Sequence, residues 1–160
     1  MDTKRRFSHV DSQGNPTMVD VGGKKITARR AVAKSLVVLN DEILEHLTSD
    51  EIHTKKGPVF QTAITAGIMA VKRTSDLIPL CHPLLLENCQ VTIAVKGIQA
   101  EVTCTVSLMG KTGVEMEALT GASVAALTIY DMCKAFSHDI VIKDTRLYEK
   151  TGGKNDFSRA

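Results

Sequence analysis

The chain has no tryptophan, and aromatic residues supply only 4% of its 160 positions. A surface that stacks bases on exposed rings is therefore a poor expectation. Nor does any apolar run approach the roughly 18 residues that a membrane-spanning helix needs, which argues against a membrane protein. The segment Met1 to Val10 is polar and basic with no apolar core, so no secretory leader is expected and the cytoplasm is the default location. Excess charge of one sign is missing too. Twenty Lys and Arg face 18 Asp and Glu, and a net charge of +2 is too small to imply a nucleic-acid partner. The four cysteines, Cys81, Cys89, Cys104 and Cys133, form no C-x-x-C pair and have no histidine at zinc-ligand spacing. Reduced, mostly buried thiols and no metal site are the expectation.

What is present is an ordinary globular balance, 43% hydrophobic and 24% charged. The length suits a single domain spanning 1–160 with a real core. Two segments read as flexible. One is 1–16, with Ser12, Gly14, Asn15 and Pro16; the other is 152–160. Either could order against a partner chain or a ligand.

Thr27–Leu39 is rich in Val and Ala and reads as a strand. Asn40 is a candidate N-cap, with Asp41 and Glu42 in the first turn of a short helix to about Leu47. Gly57-Pro58 should open a longer helix, with proline at its first position, ending near Thr74–Asp76. Phe60, Ile64, Gly67, Ile68 and Val71 share one face of it. Val91, Ile93 and Val95, then Val102, Cys104, Val106 and Leu108, alternate with polar neighbours. That pattern predicts an antiparallel hairpin turning near Gly97 and packed on one side only. Val114–Phe136 is the clearest helix. Leu119, Ala122, Ala126, Ile129, Cys133 and Phe136 form its core stripe. A final strand spans Ile140–Tyr148. The order predicts an α+β protein with a ferredoxin-like antiparallel sheet and helices packed on one face. The uncovered face then needs polarity or an oligomeric partner.

Three constellations could carry chemistry. Prolines bracket Cys81 and His82 in Leu77–Leu84, so the segment is a stiff extended loop that aims an imidazole. Gly110-Lys111-Thr112-Gly113 suggests a phosphate loop, but Thr105 stands where that motif needs a glycine, so it is rejected as one. On the long helix, Asp131 and Lys134 are neighbours three apart. Alone, they also read as a surface ion pair of little consequence. Beside the core stripe lies a second one of Glu117, Gly121, Val124, Thr128, Asp131 and Ala135, small in its middle, where a ligand or another backbone could come close. Glu117 and Asp131 are about 21 Å apart along such a helix. Both cannot touch one reacting atom. Either the substrate is long, or the two ends serve different copies of the site. Arg29, Arg30, Lys55, Lys56, Lys150 and Lys154 complete the basic inventory. Lys150-Thr-Gly-Gly-Lys154 could fold over phosphate.

Taken together, Leu77-Ile-Pro-Leu-Cys-His-Pro-Leu84, Gly110-Lys-Thr-Gly-Val-Glu-Met-Glu-Ala-Leu-Thr120 and Tyr130-Asp-Met-Cys-Lys134 resemble the cyclic pyranopterin monophosphate synthase family, molybdenum cofactor biosynthesis protein C. The likeness runs from about Met18 to Lys154. It implies a lyase that converts 3′,8-cyclo-7,8-dihydroguanosine triphosphate to cyclic pyranopterin monophosphate and releases pyrophosphate. It also implies a homo-oligomer, a hexamer built as a trimer of dimers, with sites at subunit interfaces. Position by position, the family's catalytic pair falls on Asp131 and Lys134. Its substrate-binding residues fall on Leu80, Cys81, His82, Met116 and Glu117, and its phosphate-binding residues on Arg29, Lys56 and Lys150. The chain departs from the pattern around Lys56, where Lys55 precedes and Pro58 follows, and at Thr151, where the family often has serine. No protein-held cofactor or metal is expected, and whether magnesium travels with the triphosphate stays open. Lys134 as general acid or base with Asp131 orienting it, and the exchanged roles, both fit. A non-catalytic RNA-binding ferredoxin-like module is the competing reading, weakened by the absence of Phe, Tyr and Trp from Gln90–Lys96 and Glu101–Met109. An ordinary nucleoside triphosphatase is weakened by Thr105.

Overall fold

The computed structural model describes residues 9–159, and the expected flexibility of Met1–Ser8 lies outside them. β1 (Thr27–Val38) is the centre of the main sheet. It pairs antiparallel with β6 (Gln99–Gly110) on one side and β7 (Val141–Thr151) on the other. β5 (Asn88–Lys96) forms the hairpin with β6, and Gly97 provides the positive φ of 58° at its turn. β8 (Phe157–Ser158) adds to the far edge of β7. The order β5-β6-β1-β7, with antiparallel neighbours throughout, is the ferredoxin-like arrangement that the alternating pattern predicts.

Period two decides which side chains meet the helices. Ala31, Ala33, Ser35 and Val37 of β1, and Ala100, Val102, Cys104 and Val106 of β6, are fully buried. Each branched side chain there contributes about 1.5–3 kcal/mol by leaving water. The opposite face carries half-buried Thr103, Thr105 and Ser107, the Lys34–Glu101 ion pair at 3.1 Å, and an Arg30–Glu149 ion pair. That polarity removes the need for a second helical layer. Over the buried face lie α2 (Val59–Val71) and α4 (Glu115–Cys133), packed on each other as well as on the sheet. Ala122, Ala126, Ile129 and Cys133 of the expected stripe are fully buried; Leu119 and Phe136 are half-buried at its margins.

Several boundaries differ from expectation. α1 (Asp41–Leu44) is capped by Asn40, whose side chain accepts from the Ile43 N–H, but it stops before Leu47. It stops there because Leu47 enters a small sheet that periodicity did not reveal, made of β2 (Leu47–Thr48), β3 (Glu51–Thr54) and β4 (Gly57–Pro58). Ser49 and Asp50, both at positive φ, make the tight turn between the first two of these strands. Pro58 is extended at the N-cap of α2 rather than inside its first turn. α2 ends at Val71, and α3 (Thr74–Leu77) is a separate turn of helix. Within the described part of the 152–160 segment, the chain turns back at Gly152, where φ is 84°, and Phe157 pairs with Lys150.

Candidate active site

The charged side chains singled out in the sequence gather at the two ends of α4. At the C-terminal end, Asp131 sits in the last turn and Lys134 is the C-cap. Lys134 Nζ lies 2.7 Å from Asp131 Oδ1. From the β3–β4 turn, Lys56 Nζ donates to Asp131 Oδ2 at 3.1 Å and to the Asp131 carbonyl at 3.2 Å. Two cations thus share one carboxylate beside the negative end of the helix dipole. The Lys134 ammonium, and then Lys56, hold the Asp131 carboxyl below its ordinary value, while Asp131 holds Lys134 above its own. Asp131 therefore stays ionised and Lys134 keeps its proton across the neutral range. Of the two lysines in the turn, Lys56 is the one that reaches Asp131.

The other end of the helix opens on a basin of about 430 Å³. Lys24, Lys25, Arg29, Lys111, Lys150 and Lys154 are among its lining residues. β1 and β7 pair through Arg30 and Thr151, which brings Arg29 and Lys150 to one rim. Arg29 donates through Nε to the Gly110 carbonyl at 3.2 Å and through Nη2 to that of Lys111 at 3.4 Å, fixing the turn between β6 and α4. Lys111 Nζ bonds the Gly22 carbonyl at 2.7 Å. Lys150 Nζ is paired with Glu115 Oε1 at 2.9 Å. Glu115 and Glu117 occupy the first turn of α4 and already complement its dipole. Lys24 and Lys25 were missed in the sequence, although Gly22-Gly23-Lys24-Lys25 repeats the glycine–lysine pattern of Gly152-Gly153-Lys154.

Between α3 and the start of α4 lies the third group. His82 Nε2 is 2.9 Å from the Val19 carbonyl, and a carbonyl only accepts, so this nitrogen carries the proton. His82 and Glu117 line one narrow crevice with Lys72 and Thr74. Glu117 is only 4% exposed. Burial, and then the Glu115 charge, raise its pKa. Burial and Glu117 likewise raise the Cys81 thiol, which keeps it protonated. Leu80 is half-buried beside these residues, whereas Met116 is exposed.

One chain does not bring all these residues together. α4 is unbroken from Glu115 to Cys133, so Glu117 and Asp131 keep the separation of about 21 Å set by helical rise. Arg29, Lys150, His82 and Glu117 belong to the N-terminal side of α4, and Lys56, Asp131 and Lys134 to its other end.

A ferredoxin-like sheet, one helical layer, a cationic basin and a lysine–carboxylate–lysine cluster define an α+β protein equipped to hold a polyanionic ligand. Residues 18–153 match the model of the MoaC family. The chain is 53% identical over 156 residues to the cyclic pyranopterin monophosphate synthase of Xanthomonas oryzae pv. oryzae, covering 97% of this chain and 94% of that one. It is 52% identical to a molybdenum cofactor biosynthesis bifunctional protein of Synechocystis, with 96% of this chain aligned to 46% of that one. It is 50% identical to molybdenum cofactor biosynthesis protein 1 of Dictyostelium discoideum, with 93% aligned to 26%. The chain belongs to the MoaC family.

Proposed function

We propose that this chain is an enzyme of molybdenum cofactor biosynthesis. It acts as a lyase on 3′,8-cyclo-7,8-dihydroguanosine triphosphate, forming cyclic pyranopterin monophosphate and pyrophosphate. Its similarity along nearly its whole length to proteins named for that product supports the activity. The observation that carries the site is Asp131 held between Lys56 and Lys134.

The reaction opens a five-membered ring, rebuilds it as a pterin, and closes a cyclic phosphate as pyrophosphate leaves. Ring opening needs protons moved at ring nitrogens. Lys134, protonated and exposed, is the donor suited to that work, and ionised Asp131 fixes its direction. Charge that builds on the departing pyrophosphate calls for fixed cations, which Arg29, Lys150 and their lysine neighbours supply. His82, Leu80, Cys81, Met116 and Glu117 shape the pocket for the base-derived ring. Magnesium, where present, travels with the triphosphate; among the described residues no group of three His, Cys, Asp or Glu side chains is placed to hold a metal ion.

The separation along α4 supports an active site completed by two subunits, within a homohexamer arranged as a trimer of dimers. One subunit contributes the basin and the other the Asp131 end. The cytoplasm is the proposed location. Among the described residues, no helix is long and apolar enough to cross a membrane. Turnover of the cyclised dihydroguanosine triphosphate, following pyrophosphate and pterin together, tests the proposal. Wild type should release both, and Lys134→Ala should lose about a hundredfold or more in rate. Well-folded wild type that forms no pterin sinks it.

A further inference from the structure

The β3–β4 hairpin lies outside the main sheet, yet its tip delivers Lys56 to Asp131. Its strands are only four and two residues long, too short to fix the turn by themselves. Lys55 and Lys56 form the two-residue turn between the paired Thr54 and Gly57, and Gly57 takes a φ of 115° that a side chain would resist. Inside the turn, Thr54 Oγ1 accepts from the Lys56 N–H at 3.0 Å and donates to the Gly57 carbonyl at 3.2 Å. One hydroxyl therefore closes the turn and sets the direction in which the Lys56 side chain leaves it.

The base of the hairpin is fixed independently. Glu51 accepts from the Ile52 and Phe60 N–H groups at 2.8 Å each, and from the Gln61 N–H at 3.1 Å. The N–H groups of Phe60 and Gln61 lie in the first turn of α2, where Pro58 offers no side-chain cap. Glu51 replaces that cap and ties β3 to the helix. Fully buried Ile52 anchors the same strand in the core. The outcome is a rigid arm on which an otherwise mobile lysine is aimed.

We propose that Thr54 and Glu51 are positioning residues of the reaction, holding the β3–β4 turn so that Lys56 grips both the carboxylate and the carbonyl of Asp131. Neither touches substrate. Their effect runs through Lys56, which keeps Asp131 in place for Lys134. The inference rests on the proposed roles of Asp131 and Lys134 and adds the residues that fix their geometry.

A double-mutant cycle on turnover of the cyclised dihydroguanosine triphosphate tests it, with intact folding checked by thermal melts. Thr54→Val keeps the shape and removes both hydrogen bonds. It should lower kcat by about ten- to a hundredfold, the scale of a misplacement of an ångström or so. Thr54→Ser, which restores the hydroxyl, should recover most of that loss. In a Lys56→Ala background, Thr54→Val should cost less than about twofold more, because the side chain that the turn aims is already gone. Glu51→Gln, which retains one acceptor oxygen, carries the same cycle if Thr54→Val folds poorly. Losses that multiply with Lys56→Ala would mean a merely structural role and overturn the inference. Full activity in Thr54→Val, or in Lys56→Ala, would overturn it equally. Wild type that makes no pterin defeats the proposed function itself, and the positioning role with it.

Discussion

Gly67 and Gly121 meet where α2 crosses α4, and a side chain would be crowded at Gly67 and would collide with its neighbours at Gly121. A Cβ on Gly67 would lie 3.0 Å from the Gly121 carbonyl oxygen, and one on Gly121 would lie 2.5 Å from Val71 Cγ2 and 2.6 Å from Cys104 Sγ. The small stripe on α4 thus admits another backbone, that of α2. This close approach seats α4 low on the sheet and so positions the charged groups at both of its ends.

Gly121→Ala should therefore destabilise the chain. Alanine favours the helix by about 0.5–1 kcal/mol over glycine. Overpacking costs about 1–3 kcal/mol, and it wins because Val71 and Cys104 are themselves buried and cannot retreat. A fall in Tm on the order of 2–4 °C per kcal/mol is expected. An unchanged or raised Tm would show that the crossing is looser than described.

Glu117 makes stability depend on pH. Its carboxyl is raised above the ordinary 4.5 by burial and by Glu115. The folded chain therefore binds this proton more tightly than the unfolded chain does. That contribution is fully present below the unfolded value and is lost as pH rises through the folded one. Glu117→Gln should raise Tm at pH 8 and leave it nearly unchanged at pH 4. Equal effects at both pH values would remove the burial argument.

Subunit mixing distinguishes a shared site from one built within a single chain. Asp131→Asn and Lys150→Ala, measured alone, should each lose about a hundredfold in turnover. Co-refolded in equal amounts, they should regain about a quarter of wild-type activity, since random pairing in a symmetric oligomer leaves that share of interfaces with both halves intact. A mixture as inactive as its components would place the whole site within one chain.

Local pattern made much of this molecule legible. Alternation in Val102–Leu108 predicted β6 and its buried face, and the three-four spacing through Ile129 and Cys133 predicted α4. Asn40 announced its own cap. Asp131 and Lys134 were adjacent by helical geometry alone, because a spacing of three residues needs no tertiary information. The motifs that surround them were long enough to indicate the family. Periodicity failed where elements were too short to show a period. β2 to β4 span two to four residues each, and their order depends on Ile52 entering the core. Pro58 looked like the first residue of α2 because sequence cannot show that Glu51, seven positions earlier, caps the helix from a strand.

Sequence by itself determined the alternating strands, the long helix, and which side chains on that helix are neighbours. These are properties of a chain segment and its own repeat. Only the tertiary structure decided that Lys56 rather than Lys55 reaches Asp131, that Lys24 and Lys25 join Arg29 and Lys150 around one basin, and that Glu117 is buried. Each of those depends on segments far apart in sequence being brought within a few ångströms. What does so is the register of paired strands and the packing of two helices across a glycine contact, which no local pattern encodes.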